Sequence, residues 1–155
     1  MTSPSPIRDE TGTALVEFAF ILPLLLVLVL GIADFGRAFN YWIDSTHLAN
    51  VAARYAAVNK NPGAAGSLTL QRYMELQAST NELRNGSTQT TPVDVCVSFP
   101  LGTSNVGDPV KVEVKSTWSW LHYLVGRTHL TSRTIKGSAT MRLEAKPTNY
   151  SAGCA

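Results

Sequence analysis

Gly12-Thr13-Ala14-Leu15-Val16-Glu17-Phe18 opens an apolar run that does not end until Ala33. Between Phe18 and Ala33 no residue is charged, and most are Leu, Val, Ile or Phe. When Thr13–Val16 are added, Glu17 is the single interruption. At about 1.5 Å per residue this stretch makes roughly 31 Å of helix, enough to cross a hydrocarbon core about 30 Å thick. Residues 13–34 are therefore expected to span a membrane. A carboxylate within such a span is costly and marks a function more often than not. Glu17 stands at the fifth position after Gly12, and that spacing is the most informative feature of the sequence.

The pattern extends through Leu22-Pro23-Leu24-Leu25-Leu26 and Asp34-Phe35-Gly36-Arg37-Ala38. It continues in Ala52-Ala53-Arg54-Tyr55-Ala56-Ala57 and closes with Ala139-Thr140-Met141-Arg142-Leu143-Glu144. Together these residues resemble the TadE family of pseudopilins in tight-adherence (Flp) pilus systems, most strongly over residues 11–58. The resemblance implies a leader, residues 1–12, removed by a prepilin peptidase that cuts between Gly12 and Thr13. It implies that Glu17, with Phe18, sets the register between subunits. The implied partners are the membrane, the peptidase, other pilins or pseudopilins and the Tad assembly platform. The implied location is the plasma (inner) membrane, crossed once, with the N-terminus cytoplasmic and the C-terminal domain extracytoplasmic. Two departures are visible: Thr13 follows the cut, and basic charge before it is sparse.

The glutamate also has a physical rationale. Cleavage after Gly12 would create an α-amino group at Thr13, about one helical turn from the Glu17 carboxylate. In a staggered assembly the amine of one subunit could meet Glu17 of its neighbour. At 4 Å and an effective dielectric near 20 such a pair is worth roughly 4 kcal/mol before desolvation. The bland alternative is a glutamate that snorkels into the headgroups. A second alternative is a secretory signal peptide, with Arg8 as its basic region and Gly31-Ile32-Ala33 as its cleavage site. That reading gives a secreted α+β binding or adhesion domain cut after Ala33. Glu17 and the acidic pair Asp9-Glu10 speak against it.

The chain has 155 residues, 45% of them hydrophobic, and a formal net charge of +2. Beyond the span there is room for one small domain, expected over residues 35–146, followed by a tail, residues 147–155. After Ala33 no helix breaker occurs before Asn61-Pro62-Gly63, so the helix is expected to run from about Thr13 to Asn59. Ala49, Ala53 and Ala57 give it a smooth stripe. Leu68 to Leu83 reads as a second helix. Three segments then alternate with period two. They are Val93 to Phe99, Val110 to Trp120, and Ile135 to Glu144, which predict a small, three-stranded antiparallel sheet with one apolar face. The outer half of the long helix is the expected cover, giving an α+β fold. Both the residue pattern and the family resemblance lead to this layout.

Residues 37–155 carry twelve Lys and Arg against seven Asp and Glu, but in no basic run, which argues against nucleic-acid binding. His47, His122 and His129 lack metal-ligand spacing. With no nucleophile–base arrangement or phosphate loop evident, the expectation is a non-enzyme without metal, cofactor or small-molecule substrate. Cys96 and Cys154 lie on the same side of the span, and an extracytoplasmic setting would favour a bridge between them over free thiols or intermolecular pairing. Trp118, Trp120, Leu121, Tyr123, Leu124 and Val125 form an aromatic patch that reads either as core or as a contact with a membrane or partner.

Overall fold

The computed structural model describes residues 10–120 and 132–155. The leader positions 1–9 lie outside the described residues, as do Leu121, His122, Tyr123, Leu124, Val125 and His129. The first element, α1, runs unbroken over Glu10–Ala57, 48 residues or about 72 Å. Its two halves differ in surroundings. From Gly12 to Ala33 no side chain is buried, Pro23 included. From Asp34 onward a buried stripe appears at helical spacing: Asp34, Ala38, Tyr41, Ser45, Leu48, Ala49, Ala52, Ala53 and Ala56. An 18-residue window of α1 reaches a mean hydropathy of 2.8, and α1 is the single helix among the described residues long and apolar enough to cross a membrane.

Asn59 ends α1 by adopting a left-handed φ of 52°. Its N–H donates to the Ala56 carbonyl at 3.1 Å, and the Lys60 N–H donates to the Tyr55 carbonyl at 2.8 Å. These two bonds satisfy carbonyls that the helix end would otherwise orphan, with Asn in the place that Gly usually takes. A turn with one 3₁₀ segment, Ala64–Gly66, leads to α2, Leu70–Glu75, and then α3, Asn81–Asn85.

The single second helix expected over residues 68–83 is thus two short ones. The hydroxyls of Thr69 and Thr80 each accept the N–H three residues on, so each starts a separate helix. Between them Ser79 is drawn to α1: its N–H and hydroxyl donate to the two oxygens of Asp44, at 2.8 and 2.7 Å.

The sheet contains β1 (Asp94–Ser98), β2 (Pro109–Ser119), β3 (Ser132–Arg142) and β4 (Gly153–Cys154), in the order β3-β2-β1-β4 and antiparallel throughout. The expected sheet had three strands. The fourth is contributed by the tail, whose two paired residues carry no strand-like pattern of their own. Val95, Val97, Val110, Val112, Val114 and Trp118 are buried beneath the helices, as the alternation requires. On the opposite face Glu113 lies within 3.6–3.8 Å of the ammonium groups of Lys111, Lys115 and Lys136. These lysines are well exposed, so the pairs add little to stability.

α1 packs across β2 and β3, whereas α2 covers β1. The closest approach is at Gly137 on β3, where a Cβ atom would overlap the backbone of Ser45 and Thr46. Trp118, four residues along β2 from Val114, the register partner of Gly137, packs against α1 with its ring centroid 5.2 Å from that of Tyr41. Trp118 is fully buried, so the aromatic patch read from the sequence divides: Trp118 is core, and Trp120 is half-buried at the sheet's end.

Candidate functional site

Gly12, Thr13, Val16 and Glu17 lie together on the exposed N-terminal part of α1. Gly12 has ordinary helical surroundings, and a Cβ added there would meet nothing within 4 Å. Glycine inside a helix costs about 1 kcal/mol relative to alanine. Nothing in the described fold requires Gly12, in contrast to Gly137. Among the described residues Glu17 has neither an ion-pair nor a hydrogen-bond partner. Phe18 is 58% exposed. Thr13 and Glu17 are four positions apart, so they share one helix face about 6 Å apart along the axis. The fold therefore displays this group outward.

A second polar group marks the point where α1 enters the domain. Asp34 is 5% exposed. The Gln89 amide donates to an Asp34 oxygen across 3.5 Å, a long bond, and accepts from the Arg37 guanidinium at 3.1 Å. Gln89 sits on the stretch preceding β1, fixed by the Ser119 N–H donating to its carbonyl at 2.8 Å. The Ser87 hydroxyl accepts from the N–H groups of Gln89 and Thr90, shaping the turn. Asp34-Phe35-Gly36-Arg37 is thus a collar where the bare helix meets the sheet. Gln89 was not legible as its partner, because 55 residues separate it from Asp34 and no motif surrounds it.

At the far end the tail wraps the terminus of α1. The N–H groups of Thr148 and Asn149 both donate to the Asn59 side-chain oxygen, at 2.9 and 3.0 Å. The Asn149 amide returns a bond to the Asn59 carbonyl at 2.8 Å. The Tyr150 hydroxyl donates to the Ala56 carbonyl at 2.8 Å, and burial pushes its pKa up to about 12. Beyond it, the Gln71 amide donates to the Ser151 carbonyl at 2.9 Å. The strap ends in a disulfide between Cys154 and Cys96, which face one another as register partners with Cα atoms 4.0 Å apart.

Asp94 lies beside this bridge, and among the described residues the trio Asp94, Cys96 and Cys154 is the one grouping of ligand spacing. Both sulfurs are spent in the covalent bond, so neither can serve as a thiolate ligand while the bridge is intact. A cavity of about 180 Å³ lies between α1 and α2, lined by His47, Tyr55, Tyr73 and Met74 among others. Ser79 at its edge donates its hydroxyl to Asp44 and not to His47, so no nucleophile–base pair forms there.

Most of the chemistry in the sequence thus converges on α1, whose first half is bare. The TadE family profile, described as TadE-like protein, matches residues 12–54. Over these residues the chain is similar to TadE-like proteins. The match begins at Gly12, takes in Glu17 and the Asp34–Arg37 collar, and ends within the alanine stripe that faces the sheet. No curated protein and no solved structure gives a significant match to the chain. This similarity and the one candidate span among the described residues point to a membrane-anchored protein.

Proposed function

We propose that this chain is a minor, pseudopilin-like component of a tight-adherence (Flp) pilus system, cut after Gly12 by a prepilin peptidase. In this reading it is not an enzyme. It sits in the inner membrane with its N-terminus cytoplasmic, and it works by helix contacts with other pilins, pseudopilins and the assembly platform. The observation that carries the proposal is the outward display of Gly12 and Glu17 on a bare helix that continues directly into the domain's spine. Neither residue serves the described fold, so their spacing points to something outside the chain. The TadE-like match over the same residues supports it.

The signal-peptide reading fares worse on the same helix. A cut after Ala33 would fall in the middle of α1 and make buried Asp34, the partner of Gln89, the first residue. The experiment is N-terminal sequencing of the membrane-extracted mature protein, with Gly12→Ala alongside wild type. A chain beginning at Thr13, with the variant left uncut, is the expected result. A chain beginning at Asp34 would establish the secreted-domain reading instead.

A further inference from the structure

Immediately past the span, α1 carries three exposed aromatic residues on one face. The Phe35 and Phe39 rings stack with centroids 6.3 Å apart, and Trp42 follows 5.7 Å beyond Phe39. Phe35 is 61% exposed, Phe39 50% and Trp42 47%. Trp120, at the end of β2, stacks on Phe35 at 6.3 Å and carries the ladder from the helix onto the sheet. A groove of about 440 Å³ opens along these rings, backed by Ile135 and Lys136.

We propose that Phe35, Phe39, Trp42 and Trp120 form a shelf that seats the domain on the lipid headgroups where the span ends. The shelf is continuous with the apolar face of the span: Ile32, Phe35, Phe39 and Trp42 follow one another at spacings of three and four residues. Its composition selects the occupant. Tryptophan and other amphipathic rings concentrate at membrane–water boundaries. Close helix–helix seams in membranes use small residues, and a ladder of bulky rings keeps a second helix at a distance.

Height along the axis sets an order. Phe35 lies about 3 Å past Ala33 and Trp42 about 13 Å past it, whereas the headgroup layer is about 5–7 Å deep. Trp120, touching Phe35, belongs within that layer, whereas the Trp42 backbone lies beyond it and only its ring, leaning back toward the helix N-terminus, reaches the outer edge. A single helix can rotate freely about its own axis in the bilayer. A shelf on one side, tied to the sheet through Trp120, fixes which face of the domain looks at the membrane.

The chain contains three tryptophans, and Trp118, fully buried against Tyr41, is a silent internal reference. The test reconstitutes the full chain into phosphatidylcholine–phosphatidylglycerol vesicles containing lipids spin-labelled near the headgroup or near the chain end. Tryptophan quenching is then compared for wild type, Trp120→Phe and Trp42→Phe. The expected result is stronger quenching by the shallow label than the deep one. The greater part of it is lost in Trp120→Phe and a smaller part in Trp42→Phe, and aqueous iodide quenches little. Quenching by iodide without quenching by lipid labels would place the shelf in water and overturn the proposal. Protection from both would mean that a second copy or another protein covers the rings, and would overturn it equally. The proposal rests on membrane anchoring, which vesicle flotation reads separately. A chain that does not float overturns both, whereas one that floats with iodide-quenched tryptophans overturns the shelf alone.

Discussion

At the scale of single residues, two kinds of conspicuous residue answer to different masters. Gly137 answers to the fold, because any Cβ there meets the backbone of Ser45 and Thr46. Backbone cannot move aside as a flexible side chain can. Gly137→Ala is therefore expected to destabilise the domain by about 1–3 kcal/mol, the usual cost of overpacking, and Gly137→Val by more. Denaturant unfolding of the detergent-solubilised protein checks this, and an unchanged midpoint for Gly137→Val would refute the close contact. Gly12 and Glu17 answer to nothing in the described fold. Glu17→Gln is expected to leave folding and insertion unchanged while weakening association between subunits, through loss of a charge pair worth about 1 kcal/mol or more per contact. Each 1.4 kcal/mol weakens an association tenfold. Crosslinking between subunits at matched membrane levels reads this, and wild-type crosslinking by both Glu17→Gln and Glu17→Ala would reduce Glu17 to a snorkelling residue.

Among the elements, the tail contributes more than its nine residues suggest. It caps the end of α1 through Asn59, contacts α2 through Gln71, and covers the outer edge of β1 as β4. An uncovered edge strand invites pairing with other chains, and two paired residues held by a covalent bond are enough to blunt it. The bridge closes residues 58 apart in sequence, for which chain entropy gives a stabilisation of about 4 kcal/mol. The Cys96→Ser/Cys154→Ser double variant is expected to lose stability of that order and to expose the β1 edge. The check is the unfolding midpoint of wild type with and without reductant beside that of the variant. Equal midpoints in all three would show that the hydrogen bonds of Asn59 and Tyr150 hold the strap unaided.

Across the whole molecule, one helix serves two solvents. Its first half keeps every side chain open to its surroundings, and its second half gives one stripe to a sheet. The apolar run from Phe18 to Ala33 and the breaker-free stretch to Asn59 made that helix readable in advance, because helix continuity depends on local residues alone. The strand alternation in Val93–Phe99 and Val110–Trp120 was equally legible, since period two places Val95, Val97, Val110, Val112 and Val114 on one face whatever lies above them. The spacing of Gly12 and Glu17 was visible for a similar reason: it concerns one exposed segment and no partner within the chain. What tertiary structure decided were the meetings of distant residues. Asp44 breaks the second helix by holding Ser79, and Gln89 closes on Asp34 and Arg37. Gly137 admits the spine, Trp118 turns inward while Trp120 joins Phe35, and the tail becomes β4. Each of these is set by packing between elements that are 30 or more residues apart or on different surfaces, and a one-dimensional pattern holds no record of which surfaces will touch.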